Sequence, residues 1–303
     1  MPKDTARISP TAHYTGAVWR SNGLGDERLD GVLNRSVHRW VSPAGALVRP
    51  FLGGATLDTA LLQRHRFIDH IVREALHAGA TRVIEVPAGF SARGLRFAAD
   101  HPTVRWIDGD LTQLAALRRE ALGPGHRVEV IDLLADAGPH ALSRFEGDEP
   151  TVVIVEGLFN YFPTPVVLDM WVRIARFLAR CRGGWMTGDI ALGSHVRNPL
   201  VRMFLLALGA IARGRMTAHF DGPADARETL MAAGFEMAEL LSPKRHAAAL
   251  RLPVSDVPDY LAMIQARVGT AADAPTLTGA RCGPDPRDAD GKTGAVDPVL
   301  GGL

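Results

Sequence analysis

The stretch Val83 to Gly94, VIEVPAGFSARG, decides the fold. It opens as a short β-branched run and passes through a turn spaced like a dinucleotide-binding loop. It then enters the helical pattern ARGLRFAADH. A dinucleotide fingerprint needs glycine at its first, third and sixth positions, for the sharp turn, the approach of a pyrophosphate and close helix packing. Here those positions are Pro87, Gly89 and Ala92. A proline has no backbone N–H to offer, and the added side chains narrow the approach, so pyrophosphate is a poor guest. A nucleoside without phosphates remains compatible with the loop.

Outward from this loop, β-rich runs alternate with helical ones. TRVIEVPA, TVRWIDGD, HRVEVIDL, PTVVIVEG and GGWMTGDIA read as strands, with LTQLAALRREAL and PVVLDMWVRIARFLARC as helices between them and a short helix near Ala141. GFEMAELLSP and AAALRLP read as two closing strands. This alternation predicts an α/β, Rossmann-like fold: a seven-stranded, mostly parallel sheet with helices on both faces around one core. Ligands of such sheets bind beyond the carboxyl ends of the strands, where the 83–94 loop stands.

The chain has 303 residues, 47% hydrophobic and 22% charged, with 34 basic against 33 acidic side chains and a net charge of +1. That balance provides no global attraction for nucleic acid or an anionic surface. Cys181 and Cys282 form no CxxC pair, which argues against a disulfide framework and a zinc knuckle and fits a cytoplasmic location. The start carries no apolar secretory core. The most apolar run, Met203 to Ala212, is too short to cross about 30 Å of hydrocarbon, so no stable membrane insertion is expected and a lid helix is the preferred reading. From residue 269 onward Gly, Pro, Ala and Asp crowd the chain, and this segment is expected to be a disordered tail.

Asp108 and Asp110 close the second strand about twenty residues beyond the loop, where a carboxylate accepts hydrogen bonds from ribose hydroxyls. Ribose without phosphate points to S-adenosylmethionine. Capping of the helix that follows is the alternative role for either aspartate.

Several segments between residues 8 and 255 together resemble the leucine carboxyl methyltransferase-like family of class I S-adenosylmethionine-dependent methyltransferases, whose members include polyketide O-methyltransferases. RHRFID (64–69) looks like the family's segment ahead of the first strand, and the resemblance implies that Arg64 holds the methionine carboxylate, a role that suits a guanidinium fork. In PAGFSARG, Gly89 and Arg93 match the family loop whereas Pro87 and Ser91 depart from it, and Glu85, Pro87 and Gly89 are the expected cofactor contacts there. In WIDGD, Asp110 is the closest match to the ribose acid, and in VIDLLAD, Asp132 and Leu133 match a pair that frames adenine. VVIVEGLFNYF resembles the segment ending the fourth strand, which implies that Glu156 contacts the cofactor and Tyr161 borders the reacting centre.

The resemblance organises the chain as an N-terminal helical cap over 1–50, a methyltransferase domain over 51–268 with a lid insert at about 192–222, and the tail over 269–303. ISPTAHYTG also looks like an opening found in one branch of the family, with Tyr14 the cofactor-contact candidate and His13 either a second donor or a solvent-facing residue beside a cap at Ser9 or Thr11. The implied activity is O-methylation of a carboxylate or hydroxyl on a small metabolite. The alternatives are a catalytically impaired S-adenosylmethionine-binding protein of the same fold and a nicotinamide-dependent oxidoreductase, the latter disfavoured by the degraded glycine pattern.

A carboxylate acceptor needs no base, whereas a hydroxyl gains about 10²- to 10⁴-fold from one. His195 and His219, in the insert after the fifth strand, are the candidate bases. Arg197, Arg202 and Arg213 are placed to meet an acidic group on the acceptor. The other histidines, His65 and His70 included, show no carboxylate or cysteine at ligand spacing, so no metal is expected. The expected partners are a small-molecule acceptor and a second copy of the chain in a homodimer, with no nucleic acid.

Overall fold

Strand β1 (Arg82–Glu85) lies in the interior of the sheet, as its apolar residues on both faces require, Val83 toward one and Ile84 toward the other. The computed structural model describes residues 10–29, 57–199, 201–202, 216–252 and 259–269, without the side chains of 10–14 and 57. Helix α1 (Pro10–Ser21) is followed by a 3₁₀ turn (Glu27–Leu29) and by α2 (Leu57–His77), which leads into β1. Then come α3 (Arg93–Asp100), β2 (Arg105–Asp110), α4 (Thr112–Leu122), β3 (Val128–Val130), a 3₁₀ turn (Leu142–Phe145) and β4 (Thr151–Val155). After a 3₁₀ turn (Phe159–Tyr161) the chain forms α5 (Thr164–Ala179), β5 (Gly184–Ile190) and the short α6 (Gly193–Val196). It closes with α7 (Pro223–Ala232), β6 (Met237–Leu241), the short α8 (Pro243–His246) and β7 (Ala262–Val268).

The sheet has seven strands in the order β3-β2-β1-β4-β5-β7-β6. β1 pairs parallel with β2 and β4, β4 with β5, and β2 with β3, while β7 runs antiparallel between β5 and β6. This is the expected α/β, Rossmann-like sheet, mostly parallel, with one reversed strand inserted near its edge.

The single core expected from the sequence is divided by the sheet. On one face Phe67, Ile68, Ile71 and Val72 of α2 pack on Val83, Val152, Ile154 and Trp185. On the other, α5 buries Val167, Met170, Trp171, Ile174, Ala175, Phe177 and Leu178. No side chain caps the start of α5. A cap is worth about 1 kcal/mol, whereas each large apolar side chain contributes about 1.5–3 kcal/mol on burial, so docking rather than capping fixes this helix.

The last strand differs from expectation. AAALRL, the described part of that run, is not a strand: Ser242 caps α8 by accepting the Arg245 N–H, and the following turn carries Arg251 at φ 50°. The strand is AMIQARV, at 262–268. Three alanines are poor strand formers, and AMIQARV is rich in good helix formers, so its strand state comes from pairing on both sides with β5 and β6.

Close helix packing, the task of a fingerprint's last glycine, falls instead to Gly94. A Cβ at Gly94 would stand 2.5 Å from Trp106 Nε1 and 2.9 Å from His126 Cε1. Gly94→Ala is expected to destabilise the chain by about 1–3 kcal/mol through overpacking, read as a lower denaturation midpoint. An unchanged midpoint would show that the indole moves aside freely.

Residue 200, the 203–215 part of the expected lid with Arg213, Cys282 and the tail from 270 lie outside the described residues, as do the side chains of His13 and Tyr14.

Candidate active site

The loop after β1 is held by its own hydrogen bonds. Gly89, at φ 53°, donates its N–H to Asp110 Oδ2 at 2.8 Å, and Ala88 donates to the Gly109 carbonyl at 2.8 Å. Asp110 Oδ1 accepts the Leu111 N–H at 2.8 Å. Pro87 has no N–H, and Arg93 N–H goes to Ser91 Oγ at 3.2 Å. Underneath, Arg118 donates to the Gly89 carbonyl at 2.7 Å and the Ser91 carbonyl at 3.0 Å. Burial raises the pKa of Asp110 against the pull of the Gly89 and Leu111 amides.

The two aspartates of β2 have different tasks. Asp108 is fully buried, accepts Trp106 Nε1 at 2.9 Å, pairs with Arg118, and meets His126 Nε2 at 2.7 Å. Burial alone would raise its pKa, but Arg118 and His126 hold it below the usual value. Asp108 therefore braces the arginine that holds the loop, and Asp110 is the carboxylate placed at the loop itself. Leu111 and Leu134, following β2 and β3, are exposed at 50% and 43%. Asp132 Oδ1 accepts the Leu134 N–H at 2.9 Å, while Leu133 itself is buried in the core.

A buried charge cluster joins α2, β1, α3 and the end of β4. Arg93 is fully buried and pairs with Asp69, Glu85 and, at 2.7 Å, Glu156. Arg96 bonds Asp69 Oδ2 at 2.6 Å and, through its other terminal nitrogen, the Leu24 carbonyl at 2.7 Å, tying the N-terminal segment to the cluster. Burial raises Glu85 to about 7 despite Arg93, and its Oε2 is buried without a partner. Burial also works against Glu156, yet His65, Arg93 and Arg64 hold it well below the ordinary carboxylate value.

His65 is fully buried beneath Trp19, with ring centroids 4.6 Å apart. Burial, then the charge of Arg93, lowers its pKa to about 4. Its Nδ1 stands 3.1 Å from Glu156 Oε2 and 2.8 Å from Arg93 Nη2, and its Nε2 3.2 Å from Arg96 Nη2. His65 thus contributes stability that is fully present above its unfolded pKa near 6.5 and is lost as pH falls through about 4. At about 1.4 kcal/mol per pH unit, the stability advantage of the native chain over His65→Gln should shrink by about 3 kcal/mol between pH 7 and pH 4. A pH-independent difference in urea unfolding would refute this.

At the ends of β4 and β5, Arg64 donates Nε–H to Glu156 Oε1 at 3.0 Å, and its Nη1 stands 3.6 Å from Asp189 Oδ2. Burial disfavours the Arg64 charge, but Asp189 and Glu156 outweigh it and raise its pKa. Asp189, fully buried, accepts the Gly157 N–H at 2.6 Å. Gly157 sits at φ 68°, where a Cβ would stand 3.1 Å from the Arg64 guanidinium, so both the turn and the close approach call for glycine. Tyr161, half-buried, lies within electrostatic reach of Arg64.

The structure thus brings Arg64, Glu85, Pro87, Gly89, Asp110, Glu156 and Tyr161 to one end of the sheet. His219 is a brace: Nε2–H donates to the Phe159 carbonyl at 3.1 Å and Nδ1 meets the Thr164 hydroxyl at 3.1 Å, so neither nitrogen is open to an acceptor. His195 lies on α6 with Nδ1 buried and unpartnered. Contrary to the sequence reading, both other histidines find carboxylates, His65 at Glu156 and His70 at Glu74, 3.3 Å away. Among the described residues, no group of three or more His, Cys, Asp or Glu could hold a metal ion, and no helix is long and apolar enough to cross a membrane. Arg118 and Asp189 went unnoticed in the sequence, although a charged residue inside an apolar strand run, as in GWMTGDI, is a usable signal for Asp189.

Comparison with known proteins gives partial matches. A protein of Mycobacteroides abscessus, provisionally named an S-adenosyl-L-methionine-dependent methyltransferase, is 34% identical over 117 residues, covering 33% of this chain and 34% of the relative. One from Frankia alni with the same provisional name is 30% identical over 129 residues, covering 40% of this chain and 44% of the relative. The aligned part thus spans under half the length of these curated relatives. Human N-acetylserotonin methyltransferase in complex with SAM superposes with a TM-score of 0.45 at 14% identity, over 88% of this chain and 69% of that one. Residues 52–174 match the family described as leucine carboxyl methyltransferase. That matched segment holds α2, β1 to β4 and the Arg93 cluster.

Proposed function

We propose that the crevice beyond β1, β2 and β4 binds S-adenosylmethionine and that the chain is an O-methyltransferase acting on a small molecule. The observation that carries this reading is the state of the loop amides. Pro87 has none, while those of Ala88 and Gly89 are engaged by the Gly109 carbonyl and Asp110, so the turn offers no amide nest for a phosphate. The surrounding carboxylates Glu85, Asp110, Glu156 and Asp189 stand against the guanidiniums of Arg64 and Arg93, so the crevice carries no surplus of positive charge to draw a pyrophosphate.

The residues present fit the group. Asp110 stands at the loop as the acceptor for ribose hydroxyls, and Leu111 and Leu134 offer apolar faces for adenine. Arg64 meets the amino-acid carboxylate through the edge of its fork that Glu156 and Asp189 leave open, and those carboxylates face the ammonium. When bound, the cofactor supplies an electrophilic methyl group on a positively charged sulfur. The chain's part is to hold that carbon in line with the acceptor oxygen and keep water out; alignment alone is worth about 7–11 kcal/mol of barrier.

Calorimetry of the full chain with S-adenosylhomocysteine and with NAD tests the reading. Saturable binding of the former, at least tenfold tighter than NAD, is expected. The reverse order would return the site to a nicotinamide cofactor.

A further inference from the structure

The charge cluster around Arg93 holds more acid than base. Three guanidiniums, of Arg64, Arg93 and Arg96, are paired with four carboxylates, of Asp69, Glu85, Glu156 and Asp189. Asp69 draws on both Arg93 and Arg96, and Glu156 on both Arg93 and Arg64. Asp189 stands 3.6 Å from Arg64 and also accepts the Gly157 N–H. Glu85 is the least provided. It is paired through Oε1 with Arg93, which it shares with two other acids, and its Oε2 is buried without a partner. At 1% exposure it has no bulk solvent to make up the difference.

The groups facing Glu85 come from every element packed around it. Burial raises its carboxyl against Arg93 of α3, Asp108 of β2 and Glu156 after β4 add to the rise, and Arg118 of α4 opposes them. From α2, Asp69 competes for the same guanidinium, and His65, held neutral at pH 7 by burial and by Arg93, brings no compensating charge. The cluster therefore has one negative charge too many, and Glu85 is where cancelling it disturbs least. A proton on Oε2 leaves the Arg93 contact at Oε1 intact. Glu85 ends β1 four residues before Gly89, so at most about 14 Å of chain separates it from the crevice turn. Across buried protein a charge at that range is screened little by salt.

We propose that Glu85 sets the preference for the cationic cofactor over its neutral product, by carrying a proton in the free protein and giving it up to solvent when a net positive ligand enters. The inference rests on the S-adenosylmethionine reading. That molecule bears a sulfonium, an ammonium and a carboxylate, one net positive charge, whereas S-adenosylhomocysteine has no sulfonium and is neutral overall. An entering cation supplies the fourth positive charge of the cluster, and the proton on Glu85 becomes redundant. With the neutral product bound the cluster is again one charge short, and Glu85 recovers a proton from water. Glu85 acts here through its charge alone. Being buried, it needs no contact with the ligand and is a specificity residue rather than a catalytic one.

The test is calorimetry of the full chain at pH 6.5, repeated in buffers of different ionisation enthalpy so that the protons released on binding are counted. At that pH the α-ammonium of both ligands stays protonated, and Glu85, raised to about 7, is mostly protonated as well. The expected result is release of about half a proton or more per S-adenosylmethionine and close to none per S-adenosylhomocysteine. Glu85→Gln, whose amide imitates the protonated acid, is expected to abolish that difference. At pH 7.5 it should narrow the preference for S-adenosylmethionine over S-adenosylhomocysteine about fivefold or more. Equal release with the two ligands, a difference that survives in the glutamine variant, or an unchanged preference there would each overturn the inference. Should that variant not fold, the native chain still decides it, since unequal release sustains the inference and equal release refutes it. Binding itself separates the two readings: both ligands bound with equal proton counts sinks the role of Glu85 alone, whereas binding of neither removes the cofactor assignment and this inference with it.

Discussion

Arg93→Met is expected to destabilise the chain by about 3–5 kcal/mol, the range for removing one partner from a buried ionic network. The guanidinium is fully buried and is shared by Asp69, Glu85 and Glu156, so its loss leaves three carboxylates in a medium that cannot solvate them. The loss is bounded because each has an alternative. Asp69 keeps Arg96, Glu156 keeps Arg64, and Glu85, already raised to about 7, takes up a proton. Arg93→Lys should recover only part of the loss, since one ammonium cannot present a planar fork to three carboxylates. Urea unfolding at neutral pH reads both values. A change below about 1 kcal/mol for the methionine variant would show that the cluster does not depend on its arginine.

The second large effect is on ligand affinity. Arg64→Met should weaken S-adenosylhomocysteine about 10- to 100-fold, because a hydrogen bond to a charged group contributes about 1.5–3 kcal/mol and about 1.4 kcal/mol is a factor of ten. Arg64 also neutralises Glu156 and Asp189, so a general loosening of the site must be separated from loss of a contact. Adenosine, which lacks the amino-acid tail, makes the separation: its affinity should change little. Equal losses for both ligands would mean that Arg64 shapes the crevice rather than gripping the tail.

Much of the sheet was legible because its strands are locally written. TVVIV and RVIE are continuous apolar or β-branched runs, as parallel strands buried on both faces must be, and α5 repeats its apolar residues at helical spacing. AMIQARV was not legible, since its residues suit a helix as well, and its neighbours β5 and β6 rather than its propensity make it a strand. Among the site residues, the resemblance picks out Arg64, Asp110 and Glu156, yet position in the strand alone gives Asp108 and Asp110, two residues apart, the same reading. Only Arg118 and His126, arriving from elsewhere in the fold, claim the first and leave the second at the loop.

By itself, then, the sequence determined the alternation of strands and helices, the turn that offers no proline N–H, and the identity of the charged residues near it. The tertiary structure decided which charges cancel and which remain available. It gave His65 to Glu156, Arg93 to three acids and His219 to a backbone carbonyl, while leaving Nδ1 of His195 buried without a partner. The physical reason is range. Backbone conformation is set by neighbours a few residues away, whereas a buried charge is stabilised only by whatever opposite charge the folded chain brings within about 4 Å of it.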